Sequence, residues 1–149
     1  MDDLIEELTR GHVTEVKIVL TSIVAALAVY QVLLMTVGYG KVRLPFLKPP
    51  AASFAHRASG DMIVTLTMLV GLMCLGYFGI EDGIEHARPG QRDVVALHVV
   101  LGFLLAGAIV FKVIVVRWWH AMGRFLPLIG ISVLLLFLLT WWTSAGVYL

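Results

Sequence analysis

The sequence predicts an all-α integral membrane protein, with four transmembrane helices forming an up-and-down bundle in one domain over residues 1–149. The chain is 60% hydrophobic and only 14% charged, which is more apolar surface than a soluble domain of this length could bury. The apolar residues fall into four runs, each long enough to cross a bilayer as a helix, for which about 20 residues suffice. No nucleotide-binding loop or low-complexity tract is evident. We therefore expect the protein to function within membrane lipid, with no nucleic acid partner.

The predicted spans lie near residues 16–37, 56–79, 94–117 and 125–148. The acidic stretch MDDLIEEL stands where a signal peptide would carry positive charge, and its apolar residues share one helical face, so we expect residues 1–12 to lie on the membrane surface. The KPP sequence at residues 48–50 predicts that the second helix starts just after it, because proline suits the first turn of a helix. Gly123 and Pro127 mark a tight turn before the fourth helix.

Four crossings place both termini and the loop near residues 80–92 on one side of the membrane, here called face A. The loop at 38–57 and the turn at 117–124 lie on the opposite side, face B. Nearly all acidic residues belong to face A, whereas seven of the 11 lysines and arginines belong to face B. By the positive-inside rule, face B is cytoplasmic and both termini are outside. We expect a bacterial or archaeal cell membrane.

Two histidines open apolar runs, each with a glycine four positions later: His56 with Gly60, and His98 with Gly102. Residues four apart share a helical face, so each glycine leaves room beside its histidine for a flat macrocycle. The alternative is that these glycines only allow close helix packing in lipid. The second and third helices run antiparallel, so two residues at the same depth have numbers that sum to about 173. The numbers of His56 and His120 sum to nearly this value, which places the two histidines at one depth near face B. Two such histidines can ligate a haem iron from opposite faces.

Haem propionates need cationic partners, and Arg57, Lys112 and Arg117 lie near the same face. The alternative is that Lys112 extends its amine to the interface and Arg117 marks the membrane edge. Asp61, just inside face B, is expected to pair with Arg57 or a neighbour, or else to relay protons in quinone chemistry.

His98 lies near face A and is the candidate ligand of a second haem. Its level partners on the second helix are Met73 and Cys74, and methionine is a known haem ligand. His12 and His86, in the polar flanks of face A, are further candidates for the sixth ligand. The sequence leaves this choice open, and we expect one or two haems. They would be non-covalent, because the chain has no CxxCH motif.

The runs HRASGDMIVTLTMLVGLMCLGYFG and HVVLGFLLAGAIVFKVIVVR resemble the core of small membrane cytochromes b, the cytochrome b561-like family. The resemblance implies a helical bundle that holds haem b between histidines and passes electrons from one membrane face to the other. It supports His56, His98 and His120 as candidate ligands. Many relatives carry another histidine near the far end of the second helix, where this chain has Leu69, Met73 and Cys74.

These observations predict an electron-transfer cytochrome or redox-complex subunit with no catalytic side chains. Its partners would be a quinone or a redox subunit, and a cationic electron carrier attracted to the acidic face A. With so little chain outside the bilayer, we expect it to work as an oligomer or within a complex. The alternative is a haem-free structural or anchoring subunit of a larger membrane complex, in which the histidines form interhelical hydrogen bonds.

Overall fold

The structure, a computed structural model, describes residues 7, 9–79 and 90–145. Four long helices account for most of this chain: α1 (Val13–Gly38), α2 (Pro49–Met73), α3 (Arg92–Arg117) and α4 (Leu126–Ala145). A π-helix, Cys74–Phe78, continues α2, and a 3₁₀-helix, His120–Phe125, joins α3 to α4. All four long helices are long and apolar enough to cross a membrane. The predicted all-α membrane bundle is confirmed. The surface segment predicted for residues 1–12 lies largely outside the described residues.

The helix α2 begins at Pro49, earlier than the start of the predicted span at residue 56. Lys48 precedes it with extended backbone, and two prolines occupy the first turn, where their missing N–H groups cost no hydrogen bond. A run of apolar residues identifies only the part of a helix that crosses the bilayer. The first turns of α2, at face B, lie before that run, so the apolar pattern did not predict them.

The helices pair unequally. Helix α1 packs along α2 and also against α4, and α3 packs along α4, whereas α2 and α3 touch at only a few positions. A central core nevertheless draws on all four helices: Val24, Ala28, Ile63, Leu105, Ile109, Val133 and Phe137. All four helices therefore pack together at the centre of the bundle, whereas α2 and α3 are packed only loosely against each other.

The α1–α2 pair is tightest near face B. Leu34, Val37 and Ala52 are fully buried there, and the loop between the helices folds back on them. A Cβ atom at Gly38 would lie 2.9 Å from the Ser53 Oγ, so the two helices approach closely because residue 38 has no side chain. This contact fixes α1 against α2 beside the turn that contains His56.

Candidate functional site

A cavity of about 360 Å³ lies between α2 and α3 in the half of the bundle nearer face A. Its volume is within the range of about 300–1,000 Å³ usual for small-molecule sites. The lining on α2 falls between residues 67 and 79 and the lining on α3 between residues 95 and 106, which agrees with the depth matching made from the sequence. The polar and sulfur-containing lining residues are Lys17, Thr21, Thr67, Met68, Cys74, His98, Thr140, Trp141, Thr143 and Ser144.

The cavity has a buried floor and an exposed rim. Val24 of α1 and Phe137 of α4 form part of the floor and are almost fully buried. Leu72 of α2 and Phe103 of α3 lie at the rim and are 66% and 56% exposed. The cavity therefore opens between α2 and α3, on the surface that faces lipid, and a membrane-soluble molecule can enter it sideways.

His98 lines this cavity, and its tautomer follows from its hydrogen bonds. The Nδ1 atom lies 3.0 Å from the Thr143 Oγ1. That hydroxyl donates its only proton within α4, to the carbonyl oxygens of Leu139 at 3.0 Å and Thr140 at 3.1 Å. With its proton on one of these carbonyls, the Thr143 oxygen is placed to accept a hydrogen bond from the His98 Nδ1. In this arrangement the lone pair of His98 lies on Nε2, the nitrogen left for a ligand.

His56 is held in the same tautomer by a different helix. Its Nδ1 lies 3.2 Å from the carbonyl oxygen of Gln31, which can only accept, so Nδ1 carries the proton. The side chain of Gln31 returns two hydrogen bonds, from Nε2 to the His56 carbonyl oxygen at 3.0 Å and to the Ser59 Oγ at 2.7 Å. Gln31 is only 8% exposed. His56 thus contacts α1, and its Nε2 also keeps a lone pair.

The two predicted glycines lie in different surroundings. Gly102 lines the cavity, and a Cβ atom there would meet no atom within 4 Å. Gly60 faces α1, where a Cβ atom would lie 3.8 Å from the Gln31 Nε2. Gly102 therefore borders open space beside His98, whereas Gly60 lies at the α1–α2 contact.

Among the cations predicted near face B, Lys112 is partly buried and close enough to His56 to interact with it electrostatically. Arg57 and Arg117 are exposed. Of His120 the structure describes only the backbone, at the start of the 3₁₀-helix, so the predicted pairing of His120 with His56 stays a prediction.

The candidates for a second ligand beside His98 are placed as follows. Cys74 lines the cavity; within the described lining, Met73 is not present. The side chain of His12 is 65% exposed, and its Nδ1 lies 3.2 Å from a carboxylate oxygen of Glu15. His86 lies outside the described residues. In the described part of the chain no three His, Cys, Asp or Glu side chains form a metal-binding group.

The sequence analysis missed Lys17, Thr143 and Ser144. A signal for Thr143 was present, because depth matching across the turn between α3 and α4 places it level with His98. It was overlooked because threonine is common in transmembrane helices and usually bonds to its own helix.

Comparison with curated proteins and with solved structures found no match. The resemblance to cytochrome b561-like proteins therefore stays a prediction from the quoted runs. One family model does match, over residues 5–149, nearly the whole chain, and its description is a family of unknown function. The protein therefore belongs to this family, DUF6529.

Proposed function

We propose that this protein is a membrane cytochrome b that carries electrons, with haem b bound non-covalently at His98 near face A and at His56 near face B. One observation carries the proposal: in both membrane-embedded histidines Nδ1 lies within hydrogen-bond distance of an oxygen on a neighbouring helix, which leaves Nε2 for a ligand. Histidines that ligate iron are usually held in this way, because the second hydrogen bond fixes the ring and raises its basicity.

The cavity near face A suits a flat macrocycle. Gly71 of α2 and Gly102 of α3 both line it, and a Cβ atom on either would meet no atom within 4 Å. The apolar rim lets a larger ligand extend between α2 and α3 towards lipid. Cys74, at the start of the π-helix that continues α2, lines the cavity within one residue of the level of His98, and its sulfur would be a candidate second ligand of the iron.

In this proposal the haem supplies one-electron chemistry, and the chain supplies binding and tuning. His98 would hold the iron, Thr143 would orient the imidazole, and the apolar walls would exclude water, which would set the reduction potential. Near face B, His56 and His120 would hold the second haem, with Lys112, Arg57 and Arg117 balancing its propionates.

Electrons would cross the bundle between the two sites, which lie at opposite ends of α2 and α3. With both termini outside and face B cytoplasmic, His98 would exchange electrons with an external carrier or a redox subunit. A quinone in the lipid is the candidate partner in the membrane itself. The acidic residues expected to attract a cationic carrier lie largely outside the described part of the chain.

A reduced-minus-oxidised visible spectrum of the purified protein, with a pyridine haemochrome count of haem per chain, tests the proposal. We expect two haems, with loss of one in His98→Ala and loss of the other in His56→Ala. His12→Ala is the matched control, because His12 is exposed, and it should retain both. A folded protein that contains no haem after expression with ample haem supply would contradict the proposal.

A second candidate is a haem-free subunit that packs against other membrane proteins. The exposed face of α2 favours it, because Arg57, Asp61 and Thr65 lie there, within a helix that crosses the membrane. The predicted ion pair between Arg57 and Asp61 is absent from the described contacts. In this case the hydrogen bonds of His56 and His98 would serve only to hold helices together, and the same spectrum would show no haem.

A further inference from the structure

The cavity near face A contains one polar group that the proposed axial ligation does not use. Ser144 lines the cavity and is 4% exposed, and its Oγ is buried with no hydrogen-bond partner within the described structure. Other serine and threonine hydroxyls of the bundle, such as Ser59 and Thr140, donate to the carbonyl four residues earlier. A buried hydroxyl without a partner is destabilising, so a ligand that accepts a hydrogen bond from Ser144 would recover that cost.

The same cavity has a cation. Lys17 lines it from the first turns of α1 and lies close enough to His98 and Cys74 to interact with both electrostatically. Lys17 lies near the start of α1 and Ser144 near the end of α4, and antiparallel helices bring these ends to the same face. A hydrogen bond from the Trp141 Nε1 to the Ser22 Oγ, at 2.9 Å, joins α4 to α1 beside the cavity.

We infer that Lys17 and Ser144 form a carboxylate-binding end of the α2–α3 cavity, for a membrane-soluble ligand with an acid group on a large apolar body. A carboxylate enters the membrane only with a cation and hydrogen-bond donors beside it, and an ammonium and a hydroxyl supply both. The rest of the cavity lining is mainly apolar, and its exposed rim lies between α2 and α3. The inference rests on the proposed function where the ligand is haem, which carries two propionates. A fatty acid from the membrane has the same chemistry.

Protoporphyrin IX is the probe, because it has both propionates and no iron, so that its binding does not depend on axial ligation. Its affinity for the purified apoprotein is measured by fluorescence, beside that of its dimethyl ester. We expect Lys17→Gln to weaken acid binding about tenfold, as for loss of one charge-assisted hydrogen bond, and Ser144→Ala to weaken it several-fold. Neither change should alter ester binding more than about twofold. Lys17→Arg should keep the affinity, and Lys41→Gln, at an exposed lysine of the α1–α2 loop, is the matched control.

The inference is overturned if Lys17→Gln and Ser144→Ala leave acid binding unchanged, or weaken the acid and the ester equally. A parallel titration with oleate distinguishes the sources of the carboxylate. Lys17-dependent oleate binding, with no binding of haem or protoporphyrin, would keep the carboxylate site and contradict the proposed cytochrome. Conversely, His98→Ala should weaken haem binding while protoporphyrin binding is retained, which separates iron ligation from carboxylate binding.

Discussion

Thr143 places a hydroxyl oxygen beside the Nδ1 of His98, although the two residues belong to different helices. Its hydroxyl proton is directed to carbonyl oxygens of α4, so its oxygen faces His98 as an acceptor. A neutral imidazole with the proton on Nδ1 presents Nε2 to iron. Thr143 is thus a positioning residue for the proposed site near face A.

Changing Thr143 to valine removes the acceptor while keeping the shape of the side chain. We expect the affinity for haem at the His98 site to fall about 10- to 100-fold, the usual cost of losing a group that orients a metal ligand. Thr143→Ser should restore it, because serine keeps the hydroxyl. Haem titration of the apoprotein, carried out in a His56→Ala background, measures the effect. Equal affinities for the threonine and valine forms would mean that the hydrogen bond does not orient the ring.

The sequence could predict His98 but not its partner, for a physical reason. An imidazole inside an apolar run is costly unless it has a partner or a ligand, so its presence alone is informative. Threonine satisfies itself by bonding to the preceding turn, as Thr21 and Thr67 do here, and its presence predicts nothing. Only the arrangement of α3 against α4 distinguishes Thr143 from these residues.

At the scale of the helices, Gln31 joins α1 to α2 at the level of His56. It is buried, and its amide bonds to both His56 and Ser59 of the neighbouring helix. In a bilayer such bonds are worth less than intuition suggests, on average about 0.6 kcal/mol each, because polar groups also find partners in the unfolded protein.

We therefore expect Gln31→Leu to lower the free energy of unfolding in detergent by about 1–2 kcal/mol, from two lost hydrogen bonds. Reversible unfolding followed by circular dichroism measures this change. Ser132→Ala is the control, because Ser132 is exposed and bonds only within α4, and it should change stability by less than about 0.5 kcal/mol. A loss for Gln31→Leu no larger than for the control would show that this contact does not hold α1 to α2.

A larger side chain at Gly102 would fill part of the cavity between α2 and α3, and this tests where the ligand binds. Gly102 and Gly107 both lie on α3 with open space where a Cβ atom would be. Of these two glycines, Gly102 belongs to the described lining of the cavity and Gly107 does not. Leucine at either position favours the helix over glycine, so both variants should fold. We expect Gly102→Leu to exclude haem from the His98 site and Gly107→Leu to retain it, by the haem count per chain. Retention of both haems in Gly102→Leu would place the ligand elsewhere.

The helices themselves could be predicted from the sequence, but their pairing could not. In a membrane bundle, residues that face lipid and residues that face the core are both apolar, so the periodicity that normally identifies the buried face is weak. The open α2–α3 side is therefore not evident from the sequence. Relative depth depends only on where the turns lie, and the ranges of α2 and α3 that line the cavity agree with it.

For the whole molecule, the distribution of charge predicts how the bundle sits in the membrane. The loop between α1 and α2 carries Lys41, Arg43 and Lys48, and these residues are exposed. Cationic loops near spans are retained in the cytoplasm. This predicted orientation would place His98 towards the outside and His56 towards the cytoplasm, and so would determine which partner each proposed site meets.

Single-cysteine labelling tests this orientation, because Cys74 is the only cysteine in the chain. In a Cys74→Ala background, Phe46→Cys reports face B, since Phe46 is 81% exposed in the α1–α2 loop, and Asp93→Cys reports face A. With a membrane-impermeant maleimide we expect labelling of Asp93→Cys in spheroplasts and of Phe46→Cys only in inside-out vesicles. The reverse pattern would place His98 on the cytoplasmic side, and the proposed electron path would then start from His56. Haem counts on both variants show whether the substitutions leave the sites intact.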